Sequence, residues 1–371
     1  MKITLFSQNM YPPWIEWVKN NTLLLIEELK KTIEIEIITH RSPSGEGSNE
    51  KSEIEGIPVF HYLEQSDNKW KQMWLFLRGG IRSFRHIQKS RTSIICFQYL
   101  EISFIIPMFL LAIFSRRSKF ILTVYATDEL EHWYKRLTVT LLRKKFKKII
   151  IISEHLRLAF RDIWFADSDI VWIPISFDKK RYAHLADFDG QDRKAILFSA
   201  GPVREAGSFF MVDLAKSMPD YRFLFAMRKF NKRSEDELDI LKKYIEVQWV
   251  TNIGIERNLD NMEDVLSRVW ALILPLQNVH IKMLIPVALL EAMARWTLCF
   301  VSNLPNLQTL VKDGENAIVF EKDNILDLKQ KIIHYIDDNH IRENAYKFGQ
   351  AFPDYPELAQ KYLLVFQSLS E

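Results

Sequence analysis

Glycine is scarce in this chain: 11 residues among 371, about 3% against the roughly 7% of an average globular protein. No G-x-G-x-x-G follows the first apolar run, where Ser7-Gln8-Asn9-Met10-Tyr11-Pro12-Pro13 stands instead, and no Walker-type loop occurs. Both absences argue against a first loop whose backbone cradles a pyrophosphate, and so against a nicotinamide dehydrogenase or a P-loop enzyme. Cysteine is scarcer still. Cys96 and Cys299 lie far apart in apolar runs that read as buried strands, which gives neither a disulfide framework nor a metal spacing and suits a reducing compartment. No Asp-x-Asp pair sits at the end of a strand, so no metal is expected. Charge of one sign is missing too: 50 Lys and Arg meet 47 Asp and Glu for a net +3, too little to imply nucleic acid. The longest apolar run, 102–114, falls short of the roughly 20 residues that span a bilayer, and Pro107 interrupts it. It reads as a buried helix. The opening Met-Lys-Ile-Thr-Leu-Phe reads as a strand and not as a secretory signal, and a cytoplasmic protein is expected.

What is present is a globular composition, 48% hydrophobic and 26% charged, in a chain long enough for two domains. Short β-branched runs alternate with helical periodicity, the pattern of parallel βαβ units. Strands are expected near 2–7, 34–39, 92–97, 119–124 and 149–152, with helices near 15–31, 70–88, 102–115, 130–146 and 154–163. The segment 41–55, with Pro43, Gly45, Gly47 and several Ser and Glu, reads as a polar surface loop. After Trp172-Ile173-Pro174-Ile175 a charged linker runs to Arg193. A second series then begins, with strands near 195–200, 222–227, 247–250, 271–274, 298–301 and 317–320. Its helices are expected near 207–217, 234–244, 261–268, 286–295, 305–312 and 325–336. Leu358, Tyr362, Leu363 and Phe366 mark an amphipathic last helix over 355–369. The expected domains are 1–175 and 176–352, with 353–371 returning to the first. Two α/β series in tandem predict two doubly wound domains that bind ligands at the carboxyl ends of their strands.

Five local patterns in order resemble glycosyltransferase family four, retaining enzymes that use nucleotide sugars. They are Tyr11-Pro12-Pro13 before a helix; Val171-Trp172-Ile173-Pro174 with Phe177-Asp178; Leu289-Leu290-Glu291-Ala292-Met293-Ala294 after Leu274-Pro275; Leu310-Val311-Lys312-Asp313-Gly314-Glu315-Asn316; and the terminal helix. The resemblance implies a GT-B fold: two Rossmann-like domains facing across a cleft, acceptor side first and donor side second. It also implies transfer of a hexose-like sugar from a nucleoside diphosphate to a saccharide or lipid-linked saccharide, with no other cofactor.

Candidate residues follow from both lines. Pro286 suits the first turn of a helix whose amides at Val287 and Ala288 can hold a diphosphate with help from the helix dipole. Glu291, one turn further in, takes the ribose hydroxyls by resemblance, or else caps a neighbouring group. The loop 201–206, which opens with Gly201 at the donor, is where the family carries a phosphate-binding Arg and Lys; Pro202 and Ala206 occupy the closest positions and Arg204 lies between them. Arg204 is planar and permanently charged, a substitute for them or a solvated surface cation. Arg228 and Lys229 lie at the end of the next strand. The sequence also departs from the family. Met283 replaces the first Glu of the Glu-x7-Glu pair at the donor, with His280 and Lys282 nearby, and Tyr125 replaces a donor-contacting His and joins Glu291 and Arg204 as a candidate catalytic residue. Trp14, Glu16 and Trp17 are expected at the acceptor, stacking on a sugar or closing the core. The run 133–148 reads as a basic, aromatic-bearing helix, which fits either an anionic membrane surface or a solvated face. Besides transfer, the departures leave open a protein that binds glycan, nucleotide or partner without turnover, and the architecture leaves open an epimerase.

Overall fold

The computed structural model describes residues 1–11, 17–42, 50–115, 117–125, 130, 132–182, 195–227, 232–257, 262–278, 286–308 and 310–370; of 17, 180, 232 and 233 it describes the backbone alone. The chain divides into two compact units, Met1–Ser176 with Pro353–Glu371, and Phe177–Phe352.

In the first unit the strands are β1 (Lys2–Phe6), β2 (Glu34–His40), β3 (Lys51–Ile54), β4 (Ile57–Leu63), β5 (Ile94–Gln98), β6 (Lys119–Val124), β7 (Phe146–Ile151) and β8 (Ile170–Trp172). The helices are α1 (Trp17–Leu29), α2 (Lys69–Ser90), α3 (Ile102–Phe114), α4 (Trp133–Leu142) and α5 (Arg157–Arg161). Among the described residues the sheet order is β3-β4-β2-β1-β5-β6-β7-β8. Only the β3–β4 pair is antiparallel. The central strands are Ile- and Phe-rich and almost wholly buried, as strands covered on both faces must be. From β1 the chain steps one way to β2, whereas α2, α3 and α4 lead the other way along the sheet. Right-handed crossovers therefore put α1 on one face and the α2–α3–α4 layer on the opposite face.

The second unit contains α6 (Lys179–Tyr182), β9 (Ala195–Phe198), α7 (Ser208–Ser217), β10 (Arg222–Met227), α8 (Lys232–Val247), β11 (Ile253–Arg257), α9 (Met262–Ser267) and β12 (Val269–Leu274). It continues with α10 (Val287–Ala294), β13 (Leu298–Ser302), β14 (Ile318–Phe320), α11 (Ile325–Tyr335) and α12 (Asn339–Ala351). Its sheet, β11-β10-β9-β12-β13-β14 among the described residues, is parallel throughout. The last helix, α13 (Tyr355–Gln367), belongs to the first unit and opens with a capping box, Asp354 to Glu357.

Four sequence expectations change. Within 41–55, Lys51–Ile54 is a strand, turned back on β4 through Glu55 and Gly56, both at positive φ (50° and 78°), the geometry of a tight hairpin. The expected strand 247–250 is the end of α8, and β11 follows it at 253. The expected helix 305–312 is, over its described residues, turn and coil. The basic helix 133–148 stops at Leu142, which places Lys147 and Lys148 on β7.

Candidate active site

The chain reverses its direction of travel across the second sheet between β9 and β12, and the loops leaving those two neighbouring strands flank the switch point where open α/β sheets bind ligands. The two loops are clasped together. Gly207, at φ 86°, lies so close to Pro275 that a Cβ there would collide with the proline's carbonyl oxygen, and the Gln277 amide donates to the Glu205 carbonyl oxygen at 3.0 Å. Only glycine combines that backbone angle with that approach. Ser208 Oγ donates to the Pro202 oxygen at 2.9 Å, closing the loop on itself.

On this frame Arg204 is exposed, its guanidinium 4.3 Å above the Phe209 ring. Stacking holds the exposed charge at the carboxyl edge of β9. Gly201 lies half-buried in the same loop, where a Cβ would touch only Val203, at 3.9 Å. Across the clasp, α10 starts at Val287 with Pro286 as its N-cap and no side-chain cap. Pro286 thus sits one position earlier than a first-turn proline. Val287 and Ala288, both half-buried, form the first turn. Glu291 is half-buried on α10 and accepts a hydrogen bond at 2.9 Å from Tyr182, a residue of the linker that carries no sequence pattern to announce it. Behind it α12 packs tightly, since a Cβ on Gly349 would come within 2.9 Å of the Ala294 nitrogen. Arg228, Lys229, His280, Lys282 and Met283 lie outside the described residues.

Beside the switch point, a cavity of about 280 Å³ opens at the carboxyl ends of β13 and β14, lined by Ser302, Asn303, Gln308 and Asp313 among others. The neighbouring 310–316 motif does local folding work. Asn316 takes the Lys312 amide at 2.8 Å and donates to the Leu310 oxygen at 3.0 Å, while Asp313 takes the Val319 amide at 2.8 Å.

Residues 191–352 match the family Glycosyl transferases group 1. The sequence matches none of the curated proteins. Solved structures of the same fold include a glycosyltransferase from Rickettsia africae, 15% identical, TM-score 0.78, over 100% of this chain and 98% of that one. A sucrose-phosphate synthase from Thermosynechococcus elongatus is 13% identical, TM-score 0.77, over 99% and 98%. Anabaena HepE, solved in complex with UDP-glucose, is 13% identical, TM-score 0.78, over 99% and 100%.

It is the second unit that matches the glycosyl transferases group 1 family.

That domain contributes the switch-point loops, Arg204 and Glu291, and with the GT-B neighbours it supports a glycosyltransferase with two Rossmann-like domains. The first unit has a switch point of its own, between β1 and β5. Trp14 and Glu16, which follow β1, lie outside the described residues, as does the side chain of Trp17. Tyr125 leaves the candidate catalytic set. It is 1% exposed, its ring stacks on Tyr99 at a centroid distance of 4.7 Å, and its hydroxyl meets that of Tyr362 on α13. Burial pushes its pKa up, so Tyr125 packs the first core and presents no group at a strand end. Asn9 (φ 48°) and Tyr99 (φ 72°) shape the loops at this edge, and Thr22 donates to Gln98 at 2.9 Å beside them.

Proposed function

We propose that the protein transfers a sugar with retention, and without a metal, from a nucleoside diphosphate to a saccharide or lipid-linked saccharide. This is the chemistry of glycosyltransferase family four, and the proposal places it in polysaccharide assembly at the cytoplasmic face of a membrane. The observation that carries it is the clasped pair of loops at the β9–β12 switch point, with a stacked cation on one side and the Glu291 helix on the other. In this reading the first-turn amides of α10, at Val287 and Ala288, and Arg204 bind the diphosphate beside Gly201, and Arg228, Lys229, Lys282 and Met283 serve as further donor-binding residues. Glu291 takes the ribose. The anomeric carbon–oxygen bond breaks toward the diphosphate, whose growing charge Arg204 offsets. The acceptor hydroxyl bonds to that carbon, and its proton passes to the departing phosphate oxygen. Trp14, Glu16 and Trp17 hold the acceptor.

The test begins with unfolding in the presence of UDP, GDP, ADP and their sugars. A ligand at 100 times its Kd adds about 2.7 kcal/mol, a shift of several degrees. The responsive nucleotide names the donor, and Glu291→Ala should then lose transfer with its unfolding midpoint kept. Normal turnover in that variant would remove Glu291 from the site. One observation favours a second reading, nucleotide binding without turnover: Tyr125, standing at the family's His position, is buried. A nucleotide shift with no transfer to any acceptor would select it.

The membrane part of the proposal rests on the α2–α3–α4 layer. Trp70 (79% exposed) and Trp74 on α2, Ile113 and Phe114 on α3, and Trp133 (75% exposed), Leu137 and Leu141 on α4 all stand outward. α3 packs against both its neighbours. Lys69, Lys71, Lys135, Arg136, Arg143 and Lys144 interleave with these apolar groups, the pairing that favours anionic lipid. Co-sedimentation with phosphatidylglycerol vesicles should exceed that with phosphatidylcholine and fall in the double variant Trp70→Ser, Trp74→Ser. Equal recovery from both lipids would exclude the surface.

A further inference from the structure

Tyr182 is 3% exposed, and its hydroxyl donates to Glu291 Oε1 at 2.9 Å across 109 residues of sequence. It lies on α6, a short helix pinned at its other end by Lys179, whose Nζ donates to the Gln350 oxygen at 3.1 Å. The Tyr182 ring packs on Phe177, centroids 6.0 Å apart, and α6 lies against α10. Phenylalanine would fill the same apolar slot. The hydroxyl is therefore the informative atom, and what it does is fix the direction of a carboxylate.

We propose that Tyr182 is a positioning residue for the donor: its hydroxyl holds the Glu291 carboxylate in the orientation that receives the ribose of a nucleoside diphosphate. The inference rests on the reading of Glu291 given above. A glutamate has several rotamers of similar energy, and ordering them on binding costs affinity. A buried phenol that donates a charge-assisted hydrogen bond to one oxygen removes most of that cost beforehand. The effect should be confined to ligands that engage Glu291. Diphosphate contacts to Arg204 and to the α10 amides do not pass through Tyr182.

Calorimetry with the full-length protein tests this, using the nucleoside diphosphate that shifts unfolding (UDP, GDP or ADP) and its 2′-deoxy form. The wild type should bind the ribose form about ten-fold or more tightly than the deoxy form. Tyr182→Phe should lose most of that preference by weakening the ribose form alone, with its unfolding midpoint within a few degrees of wild type. Glu291→Gln should lose it too, and adding Tyr182→Phe to Glu291→Gln should change nothing further. If Tyr182→Phe keeps the full preference, or weakens both nucleotides equally, the positioning role is wrong while the ribose reading of Glu291 stands. If the wild type itself shows no preference, the ribose reading falls, and the positioning role falls with it.

Discussion

Glu36 is a charge kept inside the first unit. Its carboxylate is 4% exposed, accepts from Thr4 at 2.6 Å, and faces Lys2 at 2.9 Å and His86 at 3.3 Å. Burial works against ionisation, but the hydrogen bonds from His86, Thr4 and Lys2 outweigh it and hold the pKa down at about 2, against an ordinary 4.5. A carboxyl depressed on folding stabilises the native state above the unfolded value, and that stability is lost as pH falls through the folded one. The window here runs from 4.5 down to about 2, and the amount is about 3 kcal/mol. His40 acts earlier. Burial holds its imidazole near 4, below the ordinary 6.5, so the unfolded chain takes up a proton that the native state refuses, and stability declines from 6.5 to 4. Denaturant unfolding at steps between pH 7 and 3 should show both declines. Glu36→Gln should flatten the lower one and leave the upper, and an unchanged lower slope in that variant would contradict the assignment.

Helix ends are where the scarcity of glycine leaves its mark. α8 closes in a Schellman motif: the Val250 amide reaches the Ile245 oxygen at 3.2 Å and the Trp249 amide the Glu246 oxygen at 3.0 Å. The left-handed position this motif needs, usually filled by glycine, is held by Trp249 at φ 55° and 89% exposed. Trp296 (φ 61°) closes α10 in the same way, and Trp164 (φ 76°) stands after α5. This accounts for the misread strand at 247–250. Val250 packs on the second core where the helix ends while Val247 stands exposed on its last turn, and a four-residue apolar run has no periodicity to tell a helix end from a strand. Longer elements were legible: the edges of α2, α3 and β10 fall within two residues of the expected ones because each carries a full pattern of periodicity or β-branching. Arg204 was legible as a candidate because it follows a strand end, and Glu291 because it stands in the Leu289–Ala294 pattern. Tyr182 was not, since its partner is 109 residues away, and Tyr125 was misjudged because a strand-end position does not reveal that another helix covers it. A left-handed non-glycine residue costs about 1–2 kcal/mol, part of which glycine returns as unfolded-state entropy. Trp249→Gly should therefore raise stability by about 0.5–1 kcal/mol, read from the denaturant midpoint. A lower midpoint would show that the indole earns its place by packing.

At the scale of the molecule, the first unit is not complete until the last residues of the chain arrive. Tyr355, Leu358, Tyr362, Val365, Phe366 and Leu369 join a core made of Ile3 and Leu5 of β1, Leu25, Ile26 and Leu29 of α1, Cys96 of β5 and Ile121 of β6. Ser176 Oγ donates to the Pro353 oxygen at 2.7 Å where the chain re-enters, and Lys119 donates to the Leu369 oxygen near its end. The right-handed crossover rule puts α1 on the face opposite α2, α3 and α4, and α13 lies against α1, so it covers the side of the sheet that local helices leave thin. Losing it would bare several large apolar groups at once, each worth roughly 1.5–3 kcal/mol of burial, more than the whole margin of a typical domain. The second unit has a separate core spanning β9, β10, β12, β13 and β14, to which α13 contributes nothing. A chain ending at Pro353 should accordingly separate the two. Amide exchange in β1, α1, β5 and β6 should rise toward the unfolded rate, while β9, β10 and β12 keep their protection and the glycosyltransferase domain still responds to nucleotide. Uniform loss of protection in both units would show that they unfold as one cooperative body, and uniform retention that α13 is dispensable to the core it enters.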